Sequence, residues 1–152
     1  MALDQTITHR LHTLSKLTDR MSQAAYEADA GISFGEGRCL AAIGAFSPLS
    51  VNDLAQRANL NKGQASRAAQ SLVDQGLARK QASPTDGRGV VLTLTAQGER
   101  VWQRLMLVIE RRNAEIVACL DAEEVEQFGR LLDRLVEHAR SSYDDGTETL
   151  DA

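Results

Sequence analysis

Ile7, Leu11, Leu14, Thr18, Met21 and Ala25 follow one another at alternating spacings of three and four. This pattern predicts a helix over residues 7–25 with a single narrow apolar stripe, the width of a helix–helix seam. Asp29-Ala30-Gly31 interrupts it. Ser33-Phe34-Gly35-Glu36 then has the form of a capping box, with Ser33 as N-cap and the Glu36 carboxylate turning back to the cap amide. The helix it opens carries Cys39, Leu40 and Ile43 and stops near Ser47-Pro48. Ser50-Val51-Asn52-Asp53 starts a shorter helix with Leu54 and Ala55 inside, ending near Ala58. Asn59-Leu60-Asn61 reads as a tight turn, with Asn61 capping a helix through Ala65, Ala68, Ala69, Leu72 and Val73. Gly76 is placed to close that helix in the left-handed conformation.

The period then changes from 3.6 to 2. Leu77–Gln81 and Val90–Leu94 read as two strands, joined by a turn-rich loop from Ala82 to Gly89. Thr95 caps a long helix with Val101, Trp102, Leu105, Met106, Ile109, Ile116, Val117 and Leu120 as its apolar positions. Asp121-Ala122-Glu123-Glu124 opens a last helix with Val125, Phe128, Leu131, Leu132, Leu135 and Val136, and beyond about Ser141 the polar, acidic composition predicts a frayed tail. The expected fold is mainly α with a small β-hairpin wing.

Composition narrows the class. The 152 residues, 43% hydrophobic and 25% charged, describe a globular chain. No apolar run reaches the ~18 residues of a membrane span. The first residues lack the basic-then-apolar order of a secretion signal, which sets the expected compartment as the cytoplasm. Cys39 and Cys119 form no Cys-x-x-Cys pair, so each is expected to be a buried structural thiol. The net charge of −4 is unevenly distributed. Residues 50–90 carry Arg57, Lys62, Arg67, Arg79, Lys80 and Arg88 against Asp53, Asp74 and Asp86, whereas residues 121–152 are strongly acidic. A phosphate backbone responds to that local basic excess rather than to the total.

Residues 50–94 thus order a short helix, a tight turn, a second helix, a strand, a basic loop and a strand. Ala55 is small enough for close helix crossing. Asn61-Lys62-Gly63-Gln64-Ala65-Ser66-Arg67 gives the second helix short side chains near its start, so its backbone can approach base edges. Gln64 has the bidentate amide suited to adenine, Ser66 suits a base or phosphate, and Arg67 suits guanine or phosphate. Glycine at 63 costs ~1 kcal/mol in helix propensity relative to alanine, which close approach would explain. Asp86-Gly87-Arg88-Gly89 puts an arginine at a hairpin tip, suited to a narrow minor groove, with Asp86 able to orient its guanidinium. The combination points to duplex DNA. Neither a Gly-x-Ser-x-Gly elbow nor a phosphate loop occurs, and Gly35-x-Gly37 lacks a third glycine, so no enzyme, cofactor or metal site is expected. His9 and His12 share a helix face without a further ligand.

Over roughly residues 7–140 the chain resembles the MarR (multiple antibiotic resistance regulator) family. The matching stretches include Ile32-Ser33 with Glu36 and Leu40, Asn52-Asp53-Leu54-Ala55, and Ala65-Ser66-Arg67. Leu72-Val73-Asp74-Gln75-Gly76-Leu77, Pro84-Thr85-Asp86-Gly87-Arg88 and Leu92-Thr93-Leu94-Thr95-Ala96-Gln97-Gly98 follow in succession. The resemblance implies one MarR-type domain over 1–152, with a winged helix-turn-helix lobe at 31–94. Dimerisation helices would occupy 5–30 and 95–141, and a flexible tail 142–152. It further implies a homodimeric repressor, with Gln64, Ser66 and Arg67 on the major-groove helix and Arg88 as wing arginine. Release from a pseudo-palindromic operator would follow binding of a small effector.

The chain departs from the family where an aromatic is usual, at Gly37, and where a second wing base is common, at Gly89. Gly37 is accordingly expected to open space for an aromatic acid or its coenzyme A thioester, with Arg10, His12, Lys16, Arg20 and Arg38 as anion partners. Two alternatives are a thiol-based redox sensor using Cys39 beside Arg38, and a winged-helix protein-interaction module without DNA binding.

Overall fold

The computed structural model describes residues 1–85, 87 and 89–148, of which 145–148 are described as backbone only. The chain divides into two compact units, Met1–Arg112 and Asn113–Ala152.

In the first unit, Thr6 caps α1 (Ile7–Ala25) by accepting from the His9 amide. The helix continues into one π-helical turn, Tyr26–Ala30, which Gly31 ends at φ +66°. The break expected at Asp29 is therefore a change of helical pitch, and it carries Tyr26 and Ala30 into the core. α2 (Phe34–Phe46), α3 (Val51–Arg57) and α4 (Lys62–Asp74) start at Ser33, Ser50 and Asn61, each side chain accepting the amide three residues on. Gly76 (φ +75°) ends α4 in a paired-bond cap: its own amide donates to Val73 O, and the Leu77 amide to Leu72 O.

The wing comprises β1 (Ala78–Ala82) and β2 (Val90–Leu94), antiparallel with Ala78 opposite Leu94 and Ala82 opposite Val90. Leu49 adds an isolated bridge to Leu92, its amide and carbonyl both bonded there. This bridge leaves no sign in the sequence, because a single paired residue has no periodicity to read. α5 (Ala96–Ile116) begins under a second polar cap: Thr95 Oγ1 donates to Gly76 O at 2.6 Å and accepts from the Gly98 amide. A Cβ on Gly98 would run into the Leu77 carbonyl, so this approach of α5 to the end of α4 requires glycine.

Leu40, Ile43, Leu54, Leu72, Leu92 and Leu105 are almost completely excluded from solvent and tie the helices to the wing. The apolar stripe of α1 has no such cover: Ile7, Leu11, Leu14, Leu17 and Met21 are all exposed.

In the second unit, Asp121 caps α6 (Ala122–Glu148) in a reciprocal box with Glu124. Its apolar residues Phe128, Leu131, Leu135 and Val136 are likewise exposed. The expected tail from 142 is instead helical as far as Glu148, with the Ser141 and Ser142 hydroxyls donating to carbonyls one turn back.

Candidate nucleic-acid interface

α4 presents a sharp division of its surface. Ala65, Ala68, Ala69 and Leu72 are buried, and at 100° per residue Lys62, Gly63, Ser66, Arg67 and Gln70 fall together on the opposite, exposed side. The small buried side chains let the helix sit close to α2 and α3, and leave its basic face outward. Arg79 is exposed on β1, opposite Thr93. Lys80 Nζ donates to Gln70 Oε1 at 2.7 Å, and Gln70 Nε2 donates to Asp74 Oδ1 at 2.8 Å. These bonds link the wing strand to α4 and hold the helix's own carboxylate at its C-terminal end. Asp86 and Arg88, the predicted wing pair, lie outside the described residues.

Two sequence expectations for α4 change in detail. Gln64 closes a full capping box: the Asn61 amide donates to Gln64 Oε1 at 3.2 Å and the Gln64 amide donates to Asn61 Oδ1 at 2.8 Å. Its carbonyl oxygen is thus engaged by the helix start, and free bidentate presentation to adenine does not describe this arrangement. Gly63 lies beneath Arg67, whose Nη1 would be 3.4 Å from an added Cβ. That is ordinary van der Waals contact with the end of a flexible side chain, so the packing around α4 does not itself require glycine at 63.

The expected effector residues do not converge. Arg10, His12, Lys16 and Arg20 are exposed along α1. Gly37 is buried, and its missing side chain is replaced by Tyr26, whose Cδ2 would be 2.6 Å from an added Cβ. No room for an aromatic ligand is gained there, because the π-helical turn delivers a ring of the protein's own. Arg38 is engaged as well: Nη2 donates to the Asn59 carbonyl at 2.9 Å, and the guanidinium lies 5.5 Å from the Phe34 ring centre. Glu36 does not turn back to Ser33 but crosses to α4, accepting from Ser71 Oγ at 2.5 Å.

The cysteines differ from each other. Cys39 is buried, and burial raises its thiol to about 11, outweighing the lowering effect of Arg38. This corrects the redox expectation, since a sensor thiol needs thiolate character. Cys119 is exposed in the turn after α5, contrary to the buried role expected for it. Arg112 was missed entirely: it is the one buried charged residue among those described, 6% exposed, with Nε donating to Ser22 Oγ on α1. In the sequence it looks like any polar position on a long amphipathic helix. No group of three or more His, Cys, Asp or Glu suited to a metal occurs among the described residues, and no helix there is long and apolar enough to cross a membrane.

The profile of the MarR family matches residues 30–89. The HTH-type transcriptional repressor Rv2887 of Mycobacterium tuberculosis is 30% identical over 105 residues, 69% of this chain and 76% of that protein. The chain belongs to the MarR family. Its MarR fold is matched by the Streptomyces coelicolor PcaV transcriptional regulator in complex with its natural ligand, at TM-score 0.72 and 25% identity over 91% of this chain and 97% of that one. The Rv2887 complex with salicylic acid superposes equally well, at TM-score 0.72 and 28% identity over 89% and 99%. This MarR protein is a winged-helix, DNA-binding transcriptional regulator.

Proposed function

We propose that the protein is a homodimeric repressor that reads a pseudo-palindromic operator with α4 in the major groove and is released by a small aromatic carboxylate. The observation that carries the DNA reading is the exposed face of α4, where Lys62, Ser66 and Arg67 project with no carboxylate until Asp74, itself held by Gln70. Lys62 and Arg67 neutralise phosphate or read guanine, Ser66 bonds a base or phosphate, and Gly63 permits close approach. Asn61 and Gln64 fix the helix start, leaving Gln64 Nε2 as a donor. Arg79 supplies the flanking contacts, together with Arg88 and Asp86 in the sequence between the two strands.

The exposed apolar rows of α1 and α6 support dimerisation, because rows this long are seldom left open to water. A two-fold dimer would space its α4 helices for major grooves about 34 Å apart. The cytoplasm, where the chromosome lies, is the compartment this role requires.

The effector reading is supported by two relatives solved with small ligands, one of them salicylic acid. Arg10, His12, Lys16 and Arg20 stay as candidate anion partners. Gly37 and Arg38 leave that set because Tyr26 and Asn59 engage them, and the case for a bulkier coenzyme A thioester goes with them. The test is enrichment of duplexes from a randomised library by the purified dimer, followed by titration of salicylate into the selected complex. Enrichment of a two-fold sequence and its release by salicylate are expected. Failure to enrich any sequence contradicts the DNA reading; enrichment without release by salicylate or other aromatic acids contradicts the effector reading alone.

A further inference from the structure

We propose that Glu36 and Arg38 are positioning residues for operator recognition, which grip the recognition helix at both ends through Ser71 and the Asn59 carbonyl. The inference rests on the reading of α4 as the helix that enters the major groove.

Glu36 and Arg38 are two positions apart on α2 and therefore leave it in nearly opposite directions, about 200° around the axis. One meets Ser71, near the end of α4; the other meets Asn59, three residues before its start. From Lys62 to Ser71 the helix rises roughly 14 Å at 1.5 Å per residue, so the two grips span most of its length. Each is fixed on both sides. Ser71 Oγ donates to Glu36 Oε1 at 2.5 Å and accepts from Gln75 Nε2 at 3.0 Å, which settles the direction of its hydroxyl. Asn59 is held at φ +54°, the left-handed conformation that asparagine tolerates, and this aims its carbonyl. The Arg38 guanidinium is steadied over Phe34.

The apolar contact between α2 and α4 is the less directional part of this fit, and beyond the two grips the Lys80–Gln70 bond restrains α4 from the wing side. The buried side of α4 is made of Ala65, Ala68, Ala69 and Leu72, so three of its four buried residues present only a methyl group. Burial of that surface favours contact without favouring one rotation or register, because the hydrophobic effect is non-directional. The hydrogen bonds at the two ends are directional. A rotation of α4 by a fraction of a turn would keep most of its burial and misplace Ser66 and Arg67 at the base edges. The expected phenotype is therefore loss of discrimination rather than loss of folding or of general affinity for DNA.

The experiment measures binding to a duplex enriched by the wild-type protein and to a scrambled duplex of the same composition, alongside thermal unfolding. Glu36→Ala, Arg38→Ala and Ser71→Ala should each weaken binding to the enriched duplex about tenfold, the scale of one lost charge-assisted bond. Scrambled-duplex affinity and its salt slope should stay at the wild-type values. Glu36→Gln, which keeps an acceptor for Ser71, should restore discrimination, and the Glu36→Ala/Ser71→Ala pair should bind no more weakly than the weaker single variant. If Glu36→Ala does not fold, Ser71→Ala decides alone, since it deletes one hydroxyl from a helix. Unchanged discrimination in Ser71→Ala, or equal losses on both duplexes, overturns the proposal while leaving DNA binding intact. Failure of the wild type to enrich any sequence removes the reading beneath it, and the proposal with it.

Discussion

Trp102 lies flat across Gly44, its Nε1–H donating to the Ala41 carbonyl at 3.3 Å, and an added Cβ at 44 would collide with the indole. This contact joins α5 to α2, and so connects the helix that leaves the wing to the helix that grips α4. Gly44→Ala should displace the indole and break its hydrogen bond. Overpacking of this kind costs about 1–3 kcal/mol. Thermal unfolding will show the loss, and because Trp102 is the only tryptophan, its fluorescence should report a more solvated ring in the folded variant.

The cap of α4 makes a second prediction. Asn61→Ala removes the acceptor for the Gln64 amide and the reciprocal box with it. A lost N-cap costs roughly 1 kcal/mol. Chemical denaturation should show that loss, and operator affinity should fall further than stability accounts for, because the first turn of α4 carries Lys62, Gly63 and Gln64.

Cys39 predicts how stability depends on alkaline pH. Its thiol is raised from 9.0 to about 11 in the folded chain, so between those values the unfolded chain loses its proton first. Stability is therefore fully present below pH 9 and falls as pH rises towards 11, by on the order of 2 kcal/mol from this group. Tyr26, also raised by burial, acts in the same direction above its ordinary value of 10.0. Denaturant midpoints from pH 8 to 11 should fall, and Cys39→Ala should flatten the first part of that fall. Native Cys39 should also resist thiol reagents that label it at once in denaturant.

Much of this architecture is legible in the sequence because its signals are local. Ser33, Ser50 and Asn61 mark helix starts, Gly76 marks a helix end, and the alternation of Val90 to Leu94 marks a strand. What is not legible is where a side chain goes once it has a choice. Glu36 three residues after Ser33 fits a reciprocal cap, yet a hydroxyl 35 positions away takes the carboxylate instead. Gly37 announces a missing side chain but not that Tyr26 fills the gap, since the π-helical turn that brings the ring there leaves no pattern of its own. The exposed face of α4 is the more readable part, because burial of Ala65, Ala68 and Ala69 leaves Lys62, Ser66 and Arg67 outward by helix geometry alone.

The exposed rows on α1 and α6 predict the assembly. Leu14→Glu or Leu135→Glu sets a charge into one apolar row without touching the buried core. Sedimentation should show the wild type as a dimer and each variant shifted towards monomer, with operator affinity lost in step, because a single α4 reaches only one half-site.

The most direct test of the central claim, that α4 with its basic face reads duplex DNA, is a salt titration of binding to the enriched duplex for the wild type and Arg67→Ala. Tight binding with log K falling steeply and linearly against log salt is predicted, with affinity reduced by about 1–3 kcal/mol in the variant and the slope less steep by about one if Arg67 contacts phosphate, unchanged if it reads a base. Binding that is independent of salt, or indifferent to Arg67, would contradict the account.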